Sequence, residues 1–388
     1  MAESLIYLLS AALGTGKEAP NRIDYPRSLF LARSHGLTGM LYHALPNVPT
    51  ICQPEPAVRD QLKKLAYTSA IRDALQDREL AELNQMFGER AIPFLLLKGF
   101  EVKKLYPKPE MRHMSDTDIL INPEQAEAVR KCVESLGYCT ERFDNGDTDV
   151  YRSPSGLCYE VHRSLAQEGF NPVSYRFLGE LYSLAERISE TNPMLRLSYE
   201  AHYAYILCHF VKHFLNGGIG VRQVMDIHLC RTKWQMDEKK LMQLLRELEL
   251  AEFAASVEAL GAYWFGNGAT TEVTAELGEY ILASGAFGSE EHKVANRMLK
   301  EEKKQSKMMY FFSRVFPPYN TMCFYYPVLK KGRILLPAFW LWRIIYALIF
   351  RRGKMKRELS TFSEIDKDAL HQRAAFYRRC GLKVYDQI

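Results

Sequence analysis

Apolar residues recur at two different periods along the chain, and the change of period divides it. Over residues 1–90 the spacing is helical. Leu5, Leu8, Leu9 and Ala12 come first, and in a run from about Ala57 to Glu89, Leu62, Leu65, Ala66, Ser69, Leu80, Leu83 and Phe87 fall at steps of three and four. Residues 91–165 break that rhythm. Ile92-Pro93-Phe94-Leu95-Leu96-Leu97 is a short continuous apolar run, as a buried central strand requires. Lys98-Gly99 interrupts it, Phe100–Leu105 has room for one or two helical turns, and Pro107 and Pro109 end them. Asp116–Ile121 reads as a second strand, and Asn122-Pro123-Glu124 opens a helix that Gly137 stops. Residues 148–153 and 157–163, joined by Ser153-Pro154-Ser155-Gly156, read as a hairpin. Helical spacing returns up to residue 300, and residues 301–388 are aromatic and basic. The fold class that follows is α+β. A small mixed-sheet domain (91–165) is embedded between a helical region (1–90), a helical domain (166–300) and a C-terminal helical region (301–388).

At 388 residues the chain exceeds what one core usually organises, about 250–300 residues. Its 47% hydrophobic and 25% charged residues are those of an ordinary folded protein. A net charge of +5 tolerates an anionic ligand without demanding nucleic acid. Eight scattered cysteines form no CxxC pair, which argues for reduced thiols in a cytoplasmic protein over a disulfide framework or zinc ribbon. Glu3 stands where a secretory leader would be basic, so no signal peptide is expected.

The chemistry concentrates in the α/β segment. Residues two apart in a strand share a face, so Asp116 and Asp118 project together, as do Glu160 and His162. If the two strands are neighbours, three carboxylates converge. Like charges about 4 Å apart repel by about 4 kcal/mol at an effective dielectric of about 20, so such a cluster needs a cation, a proton or a basic partner. Mg²⁺, with Mn²⁺ as the alternative, bound by carboxylates and nucleotide phosphates is a common solution. Lys98 and the backbone of Gly99 lie in a turn able to cradle phosphate, and Arg112 precedes the first aspartate by four residues.

The segments FLLLKGFEVKKLYPKPEMRHMSDTDILI and GLCYEVHRSL resemble the uncharacterised nucleotidyltransferase family of the DNA polymerase beta-like superfamily. HFVKHFLNGGIGVRQVMDI (209–227) and residues 326–352 are similar to its later regions. That resemblance implies that Asp116, Asp118 and Glu160 are the catalytic and metal-binding acids. It implies an NTP such as ATP as substrate, NMP transfer to a hydroxyl-type acceptor and release of pyrophosphate. Small molecules, sugars and peptides are the acceptor classes it leaves open. Lys98-Gly99 occupies the place of the superfamily's Gly-Ser turn, so a non-catalytic nucleotide sensor or scaffold is the alternative.

Further along, His202, Ile206, His209 and His213 form one helical stripe expected to face the cleft. His209 and His213 have the i, i+4 spacing of some zinc sites, but no third ligand accompanies them. Gly217-Gly218-Ile219-Gly220 then breaks the helix and Arg222 opens the next. His162, His213 and Arg222 are therefore candidates for ligand contact, and the plainer alternative for Arg222 is a pair with Asp226. Ile334–Phe350 is apolar but only 17 residues long and contains Pro337 and Arg343, too short and too charged for a span. Lys330, Lys331 and Arg333 before it, and Arg351, Arg352, Lys354, Lys356 and Arg357 after it, suit peripheral contact of 326–357 with the inner membrane face, or packing against protein. No basic stripe with interleaved aromatics marks the α/β segment, so nucleic acid is not expected as a partner.

Overall fold

The structure, a computed structural model, describes residues 2–166, 171–286, 288–302, 312, 315–350 and 367–383. Its strands are β1 (Phe94–Leu96), β2 (Asp116–Ile121), β3 (Cys139–Arg142), β4 (Thr148–Arg152), β5 (Cys158–His162), β6 (Glu186–Arg187) and β7 (Met194–Arg196). They form one mixed sheet in the order β3-β4-β5-β2-β1-β7-β6. β2 runs antiparallel to β1 and parallel to β5, and β4 and β5 form the antiparallel hairpin.

Two strands, β6 and β7, fall within 166–300, the stretch whose spacing reads as helical. Both residues of β6 are exposed and only Leu195 of β7 is buried, so neither strand carries an apolar pattern. Backbone pairing with the free edge of β1 defines them. Asn122 does start a helical segment, its side chain accepting from the Glu124 N–H at 3.1 Å. The first turn, Pro123–Gln125, is 3₁₀, and the α-helix runs from Ala126 to Ser135.

Alternation along the strands sorts residues between two cores. Phe94 and Leu96 of β1, Ile119 and Ile121 of β2, and Tyr159 and Val161 of β5 join the smaller core. Helix Ala126–Ser135 and the end of the long helix Pro56–Glu89 cover it. Leu95, Leu97 and Leu120 point the other way, into a larger core. That core takes the N-terminal residues Leu5–Leu9, the helices between Tyr199 and Phe265, and Phe376, Tyr377 and Cys380 near the C-terminus. Asp116, Asp118, Glu160 and His162 have the parity of this second face. The sheet therefore packs one side with aliphatics and aromatics and turns its acids toward the helical domain.

All eight cysteines are free. Among the described residues, no helix is long and apolar enough to cross a membrane.

Candidate active site

Two helices fix the loop ahead of β2. From the long helix, Arg72 donates to the carbonyls of Met114 (2.9 Å) and Ser115 (3.1 Å), and Gln76 donates to Met114 at 3.3 Å. From helix Val221–Lys233, Asp226 accepts two hydrogen bonds from Arg112, at 2.9 and 2.7 Å. Tyr106 donates to the same carboxylate at 2.7 Å. The loop is thereby held while β2 carries Asp116 and Asp118 away from it.

The parallel pairing of β2 with β5 places Asp118 opposite Glu160, and Asp116 opposite Cys158. Ligand atoms of Asp118, Glu160 and His162 all lie within 4.8 Å of one another. His162 Nε2 is 3.0 Å from Asp118 Oδ1 and 3.9 Å from Glu160 Oε2. Its Nδ1 is 3.0 Å from Thr148 Oγ1 on β4, which fixes the ring. Two carboxylates and an imidazole at this spacing fit a divalent cation that accepts oxygen and nitrogen ligands. Asp116 lines the same cleft outside that group and accepts from Ser115 Oγ at 3.2 Å.

Lys98 reaches Asp118 from the other side, its Nζ 3.0 Å from Oδ2. Its backbone has φ 36°, a left-handed value that strains a residue with a Cβ and aims the side chain back over β2. Gly99 follows because there is no room for more: a Cβ there would run into Met114 Sδ and press on Arg112. The ammonium also donates to His209 Nε2 at 3.0 Å, and His213 Nε2 lies 3.0 Å from the same atom.

Burial alone would raise the Asp118 carboxyl, but Lys98 and His162 outweigh it and hold it below the usual carboxylate range. Glu160 goes the opposite way, pushed up by burial and then by the charges of Asp118 and Asp116. The two acids thus differ in basicity, which is how paired carboxyls divide labour. Burial, with Lys98 second, pushes His209 far below the usual imidazole range and His213 down to about 4. Lys212, on the same helix, is lowered by burial and by Lys98.

A cleft open to solvent lies beside these groups, with Lys98, Asp116 and Asp118 on one side and Ile206, His209 and Phe210 on the other. Of the four-residue stripe, Ile206 and His209 line it. His213 stands behind His209, and His202 is buried against Trp234. Arg112 and Arg222 also line it. Arg112 is the residue that pairs with Asp226, whereas Arg222 donates to the carbonyl of His113. Arg222 Nε and Gln223 Oε1 have no hydrogen-bond partner among the described residues. Sequence reasoning did not single out Lys212, Gln223 or Thr148. They are common polar residues in ordinary contexts, and only the tertiary fold gives them a place.

The mixed sheet thus brings an acidic pair on β2, a third acid on its parallel neighbour β5 and a lysine in the turn after β1 to one side of the cleft. The chain belongs to the family described as uncharacterised nucleotidyltransferase, which matches residues 21–266. Among solved structures it is similar to the antibiotic-resistance factor ANT(2'')-Ia, with 14% identity over 50% of this chain and 92% of that one and a TM-score of 0.27. No curated protein matches it.

Proposed function

We propose that the protein transfers a nucleoside monophosphate from an NTP to a hydroxyl on a small-molecule, sugar or peptide acceptor, releasing pyrophosphate. Asp118 and Glu160, with Asp116 beside them, would hold Mg²⁺ or Mn²⁺. A bound divalent ion supplies charge neutralisation at the phosphates and a lower pKa at the attacking hydroxyl. The protein's own groups do the rest. Lys98 is placed to exchange its contact with Asp118 for a phosphate oxygen. Backbone N–H groups of the turn at Lys98-Gly99 would cradle the phosphate oxygens. His162, braced by Thr148, keeps the Asp118 carboxylate oriented. Glu160, facing Asp118 across the strand pair, is suited to take the acceptor's proton as its oxygen bonds to the α-phosphorus and the bond to pyrophosphate breaks. Arg222, with an uncommitted Nε on the cleft wall, is placed to meet an anionic part of either substrate.

The observation that carries this proposal is the register that sets Asp118 against Glu160 beside a cleft bearing Lys98. Its test is titration calorimetry with each NTP, with and without Mg²⁺, joined to a pyrophosphate-release assay. The mass of the product formed from ATP, Mg²⁺ and a lysate of the native host would then identify the acceptor.

One observation favours a second function, nucleotide sensing without turnover. Lys98, standing in the Gly-Ser position, already neutralises Asp118 through a strained backbone. Nucleotide binding without pyrophosphate release across a broad set of acceptors would select it.

A further inference from the structure

Helix Leu336–Phe350 is apolar on two opposite faces. Its inner face, with Leu336, Phe339 and Trp340, packs on a small core of Met322, Cys323 and Leu329. Trp340 Nε1 donates to the carbonyl of Pro317 at 3.0 Å and locks that contact. The outer face repeats at steps of four: Leu341 and Trp342, Ile345 and Tyr346, Ile349 and Phe350. Trp342 is 55% exposed, Leu341 59%, Ile349 56% and Phe350 69%. Just before the helix, Ile334 is 93% exposed. Arg343 is the one charged residue of the helix, and contiguous exposed apolar surface of this kind marks a contact site.

The charge around the stripe says what covers it. Residues 326–357 contain nine Lys or Arg and no Asp or Glu. Lys330, Lys331 and Arg333 are exposed ahead of the helix, and the sequence after it continues with Arg351 and Arg352, which lie outside the described residues, as do Lys354, Lys356 and Arg357. A second copy docking through the same face would bring the exposed Lys330, Lys331 and Arg333 of both copies to one interface, with no Asp or Glu in 326–357 to meet them. A bilayer with anionic lipids presents the complement, hydrocarbon beneath negative headgroups. The helix has 15 residues and so is about 22 Å long, short of the roughly 30 Å hydrocarbon thickness, so it fits lying in the interface.

We infer that residues 330–350 dock the protein onto an anionic membrane surface, with Leu341, Trp342, Ile345 and Ile349 entering the acyl boundary and Lys330, Lys331 and Arg333 meeting the headgroups. The docked unit is tied to the sheet. Asn145, in the β3–β4 turn, donates to the carbonyl of Phe324 at 3.1 Å, and Arg142 lies over the Phe324 ring. Docking therefore brings the β3–β4 edge of the sheet to the bilayer. It stands independently of the proposed transfer activity.

Flotation of the full-length protein with vesicles tests it, using neutral phosphatidylcholine alone or with 30 mole per cent phosphatidylglycerol. Binding is expected to the anionic vesicles, to be at least tenfold weaker on neutral ones, and to weaken in high salt. The pair L341E and I345E, and separately the triple K330E, K331E and R333E, should each lose at least tenfold with an unchanged Tm. Quenching of Trp342 by brominated lipid, absent in W342F, should report insertion. Failure to float with anionic vesicles overturns the inference. So does equal binding to neutral vesicles, or a concentration-dependent dimer that both sets of substitutions dissolve in the absence of lipid.

Discussion

Asp118 and Glu160 sit opposite each other on parallel neighbouring strands, and His162 reaches across to Asp118 at 3.0 Å. Without a cation the two acids repel, and the Glu160 carboxyl is pushed up partly for that reason. Replacing Glu160 with Gln should therefore raise the Tm of the metal-free protein. At a metal concentration about 100 times Kd, the wild type should gain about 2.7 kcal/mol from binding, and E160Q should gain none of it. Differential scanning fluorimetry with and without Mg²⁺ or Mn²⁺ reads both effects. An undiminished metal shift in E160Q would remove this residue from the metal site.

Among the described residues the hydrogen bond to the Asp116 side chain comes from its neighbour Ser115, so Asp116 can be altered without disturbing the core. Asp116→Asn is expected to lower pyrophosphate release by more than the about 10–100-fold typical of losing an outer-shell partner of a metal. Its circular dichroism and Tm should match the wild type. Full turnover in this variant would falsify the two-aspartate assignment.

Arg112 and Asp226 are both buried and doubly hydrogen-bonded, with Tyr106 as a third member. Arg112→Ala leaves a buried carboxylate without its cation, which costs about 3–5 kcal/mol. Urea unfolding should show that loss, and the double substitution R112A with D226A should recover part of it. If R112A costs under about 1 kcal/mol and weakens only nucleotide binding, the arginine serves phosphate and not the fold.

Buried histidines give the protein an acid limit. His35, His202 and His292 are each pushed down to about 4, with burial as the main cause. His35 Nε2 and His202 Nε2 have no hydrogen-bond partner among the described residues, so a proton there gains nothing. Between about pH 6.5 and 4 the unfolded chain protonates these rings and the folded one does not. Their stability contribution is therefore complete above about 6.5 and falls with pH, by about 1.4 kcal/mol per pH unit for each ring. Urea midpoints should drop steadily from pH 7 to pH 5, and substitution of His202 by Asn should flatten the curve. A midpoint unchanged over that range would contradict it.

The parts of the site legible in the sequence are those that local rules govern. A continuous apolar run marks β1, period-two spacing puts Asp116 with Asp118 and Glu160 with His162, and Ser153–Gly156 marks the hairpin turn. Other parts depend on groups far apart in the chain. Arg112 meets Asp226 across 114 positions and Lys98 meets His209 across 111, and no spacing rule reaches that far. The sequence offered Asp226 to Arg222, four residues before it, but the fold gave it to Arg112. β6 and β7 were hidden for a different reason. They are two and three residues long and mostly exposed, so pairing with β1 makes them strands where residue preference does not.

Leu95, Leu97 and Leu120, from the strands that bear the reactive groups, are interior to a core that also takes Leu5 near the beginning of the chain and Tyr377 near its end. Excising residues 91–165 would strip the covering from these leucines and send the fragment toward aggregation. The segment that carries the acids is thus a keystone, unable to be moved as a cassette to another scaffold.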